Sequence, residues 1–381
     1  MKFFRRLIPH AIVIINLVLV FPFVYGCSGD SESSNPFHKL LGLIPREVDV
    51  SRAPIYLIDY ASFYKDNNIS LTTADNRPVS IQEFIDLIRD KELQFAPMGL
   101  GSHITGFGKY AMTSNIKDRY VGYNFTDVDA EIQTGVPPGN IVAAIGRFNP
   151  QATRDALSYQ DEWVPWMIDA YSIKEYRGVT IHSWGNGFDV HMEGPLTPPH
   201  LDQLGRAQPL AVTSDYLFSA PLGNTVELMI DAGQDRMESL ADLPEFSKIA
   251  DELAKHDVYS ALMGIESIVN GGPEHEDTYS GPLLKKFFTF GSTAGQDEHG
   301  TYLILVLYHE NSDDAKSNVS LLQERVRTTD SVMYELSWSE LLTDTDIYNK
   351  GNLLVAKLYT QYTRLWDKWI YAREPLLLHE S

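Results

Sequence analysis

Residues 179–193 read VTIHSWGNGFDVHME. Asn186-Gly187 is the strongest two-residue hairpin signal in the chain, because both central positions of a type I′ turn need positive φ. A fold at that turn sets Ile181 opposite Met192, His182 opposite His191 and Ser183 opposite Val190. It also pairs Trp184 with Asp189 and Gly185 with Phe188. One face of the ribbon is then apolar: Val179, Ile181, Phe188, Val190 and Met192. The other carries Thr180, His182, Trp184, Asp189, His191 and Glu193. A one-residue slip would mix the two faces, so pattern and turn support one another. The stretch predicts a half-buried antiparallel hairpin.

Outward from it, strands and helices are interspersed. Pro54 to Tyr60, Asp129 to Gly135, Ile141 to Phe148, Tyr302 to Tyr308, Ser331 to Trp338 and Leu353 to Tyr359 read as strands, and Ala211 to Phe218 as a second hairpin. Ser80 and Glu83 form a capping box ahead of a helix with Ile81, Phe84, Ile85 and Ile88 on one face. Asn149-Pro150 starts another helix. Asp242 with Glu245 is expected to cap a helix bearing Phe246, Ile249 and Leu253. Ser312 is expected to cap one bearing Ala315, Val319, Leu322 and Val326. The Gly-rich stretch Leu93 to Arg119 reads as a loop.

The order strand, helix, strand pair runs from Ile141 to Glu193 and again from Tyr302 to Tyr359. The expectation is an α+β fold of antiparallel sheets covered by helices, with the option of two similar halves. The halves would span 37–270 and 282–381, parted at Asn270 to Gly281, or pack as one compact domain.

The 381 residues are 44% hydrophobic and 22% charged, a globular composition able to build a sizeable core. The formal charge of −20 would become −23 if Lys2, Arg5 and Arg6 left with a leader, three positive charges fewer. Such a field repels a phosphate backbone, and no basic stripe offsets it, so nucleic acid is not an expected partner.

Lys2, Arg5 and Arg6 precede an almost wholly apolar run from Leu7 to Val24, the arrangement of an export signal over residues 1–26. Val24-Tyr25-Gly26-Cys27 then resembles the lipobox of bacterial lipoproteins, in which the Cys receives the lipid. Cys27 is the chain's only cysteine and can make no internal disulfide, which favours a role of its own. Residues 27–36 make a polar tether. Residues 140–157, NIVAAIGRFNPQATRDAL, with Tyr176-Arg177-Gly178-Val179 opening a hairpin, are similar to uncharacterised bacterial surface lipoproteins. The same holds for Leu210 to Asp231 and for Ser239 to Pro244. The resemblance implies a lipid-anchored protein on the extracytoplasmic face of a membrane, and it brings no catalytic residues.

For chemistry, the polar face of the 179–193 hairpin is the sharpest candidate. His182 and His191 opposite one another, with Glu193 beside them, could supply three ligands to zinc and leave a fourth position open. The alternative is the solvated side of a half-buried hairpin. Glu274-His275-Glu276-Asp277 reads as an exposed loop. Asp127, Asp129 and Glu131, like Asp344 and Asp346, miss the calcium-loop spacing. Gly99 to Gly108 lacks the residues of a phosphate loop, and no Gly-x-Ser-x-Gly occurs. Trp163, Trp166 and Trp184 suit a core.

These features favour a non-enzymatic, lipid-anchored protein binding a small molecule or a protein partner, with no cofactor. The rival is an exported zinc hydrolase built on His182, His191 and Glu193; a third reading is an envelope assembly factor.

Overall fold

The segment after Pro54 opens a single antiparallel sheet. In a computed structural model of the chain, the structure describes residues 35–91, 121–136, 139–158, 163–185, 187–189, 191–194, 207–269, 281–362, 368 and 374–380. Cys27 with the leader, the Gly-rich stretch 93–119 and the acidic loop 274–277 lie outside these residues.

The described strands are β1 (Ile55–Asp59), β2 (Val128–Thr134), β3 (Ile141–Gly146), β4 (Tyr171–Tyr176), β5 (Val179–Trp184), β6 (Leu210–Val212), β7 (Tyr216–Ser219), β8 (Ser260–Ile265), β9 (Thr289–Asp297), β10 (Gly300–Tyr308), β11 (Asp344–Lys350) and β12 (Leu353–Tyr359). They lie in the order β11-β12-β10-β9-β8-β1-β2-β3-β7-β6-β5-β4. The described helices are α1 (Pro36–Leu41), α2 (Tyr60–Asp66), α3 (Ile81–Asp90), α4 (Pro150–Ser158), α5 (Pro165–Ala170), α6 (Gly223–Gly233), α7 (Pro244–Leu253), α8 (Ser312–Thr328) and α9 (Trp338–Leu341). The fold is α+β, as expected.

Helices cover both faces. On one face α1, α6 and α7 bury Leu57, Ile132, Ile181, Ile304 and Val355. On the other, α2 to α5 cover one half of the sheet around Ile58, Val142 and Leu217, and α8 and α9 cover the other half around Leu303, Leu305 and Leu354. This explains the unbroken apolar run in β10: Tyr302, Ile304 and Val306 enter one core, and Leu303, Leu305 and Leu307 enter the other. A strand covered on both sides has no polar alternate positions to show.

An order of strand, helices and edge hairpin recurs, with other strands than those expected. The path β3, α4, α5, β4, β5 corresponds to β10, α8, α9, β11, β12, each ending in an antiparallel hairpin at a sheet edge. The sheet runs through the expected boundary between the halves. β8, which precedes residue 270, pairs with β1 on one side and β9 on the other.

The capping box of α3 forms as expected. Ser80 Oγ accepts from Glu83 N at 3.3 Å, and a Glu83 carboxylate oxygen accepts from Ser80 N at 2.8 Å. Asn149 Oδ1 accepts from Gln151 N and Ala152 N at the start of α4. Two caps differ from expectation. Asp242 accepts from Ser239 N at 2.8 Å within a preceding 3-10 turn, and α7 starts at Pro244, whose missing N–H needs no partner. Asn311, one residue before Ser312, caps α8 by accepting from Asp313 N and Asp314 N. Ser331 to Trp338 forms no strand. Ser331 Oγ instead donates to buried Glu374, and Trp338 begins α9.

The hairpin of residues 179–193 is the main correction. Val179 to Trp184 pairs backwards with β4, so Tyr176 faces Val179 and Ile173 faces His182. The turn is Arg177-Gly178, with φ of 51° and 78°. It has the positive-φ pair of a type I′ turn, with Arg in the place usually taken by Asn. The guanidinium of Arg177 is held by Asp231 at 2.6 Å and lies over the Tyr176 ring, 5.4 Å from its centroid. Tertiary contacts therefore support an unusual turn residue.

Candidate functional site

In the pairing that forms, the expected metal ligands are not cross-strand neighbours. His182 lies between Ile173 of β4 and Leu210 of β6, not opposite His191. It is 2% exposed, and its Nδ1 is 2.7 Å from the Tyr171 hydroxyl, whose ring stacks against it. Burial pushes its pKa down to about 4, which keeps the ring neutral. His191 lies in the following loop and stacks on Trp166, with centroids 5.1 Å apart and planes 5° from parallel. Its Nδ1 accepts from Glu193 N at 3.2 Å, and Glu193 itself is exposed. Among the described residues no three His, Cys, Asp or Glu side chains are grouped to hold a metal ion. The cross-strand pairing on which the triad rested is absent.

The other acidic pairs have local roles. Asp127 accepts from Asn124 N at 2.7 Å, closing a box around a 3-10 turn, and Asp129 meets Arg147 at 3.3 Å. Glu131 is buried in the sheet opposite Ile58 and Ala144. Asp344 and Asp346 belong to the edge strand β11. Trp163 and Trp184 pack in the core with Tyr171.

A different place has the features of a binding site. Where β1 begins, β2 ends, β3 begins and α6 begins, the chain leaves a groove of about 360 Å³. Small-molecule sites span about 300–1,000 Å³, so this one is at the small end. Val48, Ala53 and Ile141 form its apolar inner wall. Val136, Phe188, Leu222 and Leu228 form its rim and are 50%, 49%, 37% and 36% exposed. Four large apolar side chains gathered on one exposed rim are an arrangement that marks interaction sites.

Local constraints build that rim. Gly135, at φ 99°, turns the chain between β2 and β3, and a Cβ there would collide with Gly139 O. Gly187 passes so close to Leu222 that a Cβ would strike its Cδ2. Glycine lets Leu222 lie against the backbone here, and Gly187 is not among the glycines with positive φ. Phe188 follows at φ 40°, where a side chain costs about 1–2 kcal/mol. Glu47, Asp49 and Arg52, from the segment between α1 and β1, bring both signs of charge to the same groove. Sequence reading missed the groove because its residues come from four segments, so no spacing links them.

Among the described residues, no helix is long and apolar enough to cross a membrane. No protein-family model matches the chain, and no curated protein matches it. Two solved structures are similar to it, crystal forms I and IV of TP0453, each at a TM-score of 0.34. Form I is 10% identical and covers 85% of this chain and 93% of its own; form IV is 11% identical and covers 84% and 92%. A likeness at that level carries no functional argument.

Proposed function

We propose that the chain is an extracytoplasmic lipoprotein, tethered to a membrane by a lipid on Cys27, that binds an apolar ligand in the groove without catalysing a reaction. The observation that carries the binding part is the 360 Å³ groove with its four exposed apolar rim residues. The membrane part rests on the sequence: the basic start, the apolar run and the lone cysteine after Val24-Tyr25-Gly26.

Two measurements test it. The full chain expressed in a bacterium with labelled palmitate should take up label and sediment with membranes, and Cys27→Ser should abolish both. Label retained in Cys27→Ser would sink the tether. The protein from Ser28 onward should bind an environment-sensitive apolar dye at one site and lose it in Leu228→Asp. Dye binding that is absent, or indifferent to that change, would remove the groove from the account.

The open rim favours a second reading, in which the groove receives an apolar side chain of a protein partner. A partner would bury the rim from outside, so chemical cross-linking from position 228 in intact cells would capture one discrete protein instead of lipid.

A further inference from the structure

The groove joins an apolar interior to charges of both signs at its mouth. Glu47, Asp49 and Arg52 all line it. Arg52 makes no ion pair or hydrogen bond among the described residues, and neither does Glu47. Asp49 uses Oδ1 to accept from Ser51 N at 2.9 Å and Ser51 Oγ at 2.5 Å, which leaves its other oxygen free among the described residues. The Arg52 guanidinium is exposed and near enough to Asp49 to help lower that carboxyl's pKa, yet no carboxylate is paired with it at contact distance among the described residues. With Glu47 it sets both signs of charge at the mouth, which suits a ligand head that carries both.

Volume restricts the tail. At about 30 Å³ for a group the size of a water, the groove accommodates on the order of 12 such groups. A methylene is of similar size, so with a head group at the mouth the groove holds part of one alkyl chain and has no room for two.

Resting on the reading of the groove as a ligand site, we propose that it takes a single-tailed zwitterionic phospholipid. Arg52 receives the phosphate, Glu47 and Asp49 receive the ammonium, and the tail lies along Val48, Ala53 and Ile141. A simple fatty acid fits less well. The chain's net charge of −20 opposes an isolated anion, and a fatty acid would leave both carboxylates unanswered. A lipophilic cation would leave Arg52 unanswered.

The test compares three probes that share a twelve-carbon tail: lysophosphatidylethanolamine, dodecanoate and dodecyl maltoside, each below its critical micelle concentration. Native mass spectrometry of the protein from Ser28 onward gives stoichiometry and affinity, on wild type, Arg52→Ala and Leu228→Asp. The expected result is one lysophospholipid per chain, bound about tenfold more tightly than the other two, the scale of one charge-assisted hydrogen bond. Arg52→Ala should erase that preference, and Leu228→Asp should weaken all three. Equal affinities for the three probes, or tightest binding of dodecanoate, would overturn the head assignment and leave the groove standing. Failure of all three to bind would overturn both.

Discussion

The buried guanidinium of Arg325, on α8, donates to the carbonyl of Leu378 at 2.7 Å and so fixes the last turn of the chain to the sheet's outer helix layer. The same side chain donates to Pro375 O at 2.8 Å, Leu376 O at 3.3 Å and Pro282 O at 2.6 Å. Glu374, also buried, accepts from Ser331 Oγ, Val332 N and Met333 N at about 3 Å. The segment 374–380 thus closes the core around Phe287 and Trp338 through polar anchors as well as Leu376 and Leu377. Arg325→Ala removes the donor to the buried carbonyls of Leu376 and Leu378 and to those of Pro375 and Pro282, and is expected to cost about 3–5 kcal/mol. Urea unfolding checks this; a loss below about 1 kcal/mol would show that the anchor is dispensable.

Acid should weaken the protein through its buried imidazoles. His182 has its pKa lowered by burial to about 4 from an ordinary 6.5. Between those values the unfolded chain binds a proton that the folded one does not. Stability is therefore full above about pH 6.5 and is lost as pH falls through 4, by on the order of 3 kcal/mol for this group. His256, His309 and His379 are lowered by burial in the same direction. Urea midpoints at pH 7.5 and 4.5 should fall less in His182→Gln than in wild type. An equal fall would show that His182 is not among the groups responsible.

Metal content should not depend on the histidines. Native mass spectrometry of the protein from Ser28 onward, purified without chelator or nickel, is expected to give a bare protein mass. The reason is that His182 is held by Tyr171 and His191 stacks on Trp166. A stoichiometric zinc lost in His182→Ala and His191→Ala would restore the hydrolase reading.

Phe188 couples a conformational cost to the groove. Its φ of 40° is one that glycine adopts freely. Phe188→Gly should keep stability within about 1 kcal/mol of wild type, and it should weaken binding of an apolar dye severalfold. Dye affinity unchanged by this substitution would remove Phe188 from the site. Gly187→Ala, by pushing on Leu222, should weaken binding in the same direction.

How far the sequence could be read depended on whether the cause of each element was local. The capping box of Ser80 and Glu83 and the strand at Tyr302 to Tyr308 have their causes within a few residues, and both were legible. β9 was not. Its small residues answer distant ones: a Cβ at Gly291 would strike Ile249 of α7, and Gly295 makes room for the Tyr302 ring. β11 was not legible as a strand because, at the sheet edge, its mostly exposed residues show no apolar alternation. The hairpin of residues 179–193 misled for a related reason. Asn186-Gly187 is a local signal for a turn, whereas Arg177-Gly178 is held in its turn by Asp231, far along the chain. With the other pairing, His182 and His191 are not opposite one another, and the groove, assembled from four segments, had no local trace to find.

The place of β1 in the sheet bears on how the chain acquires its shape as it emerges. One edge of β1 pairs with β2, the next described strand in sequence, but the other waits for β8, with Ile55 meeting Met263. Until residue 263 has left the ribosome, the middle of the finished sheet is an open, hydrogen-bond-hungry border. A chain delivered from its N-terminus thus spends much of its synthesis with its central seam unsewn, a state exposed to misplaced strand pairing.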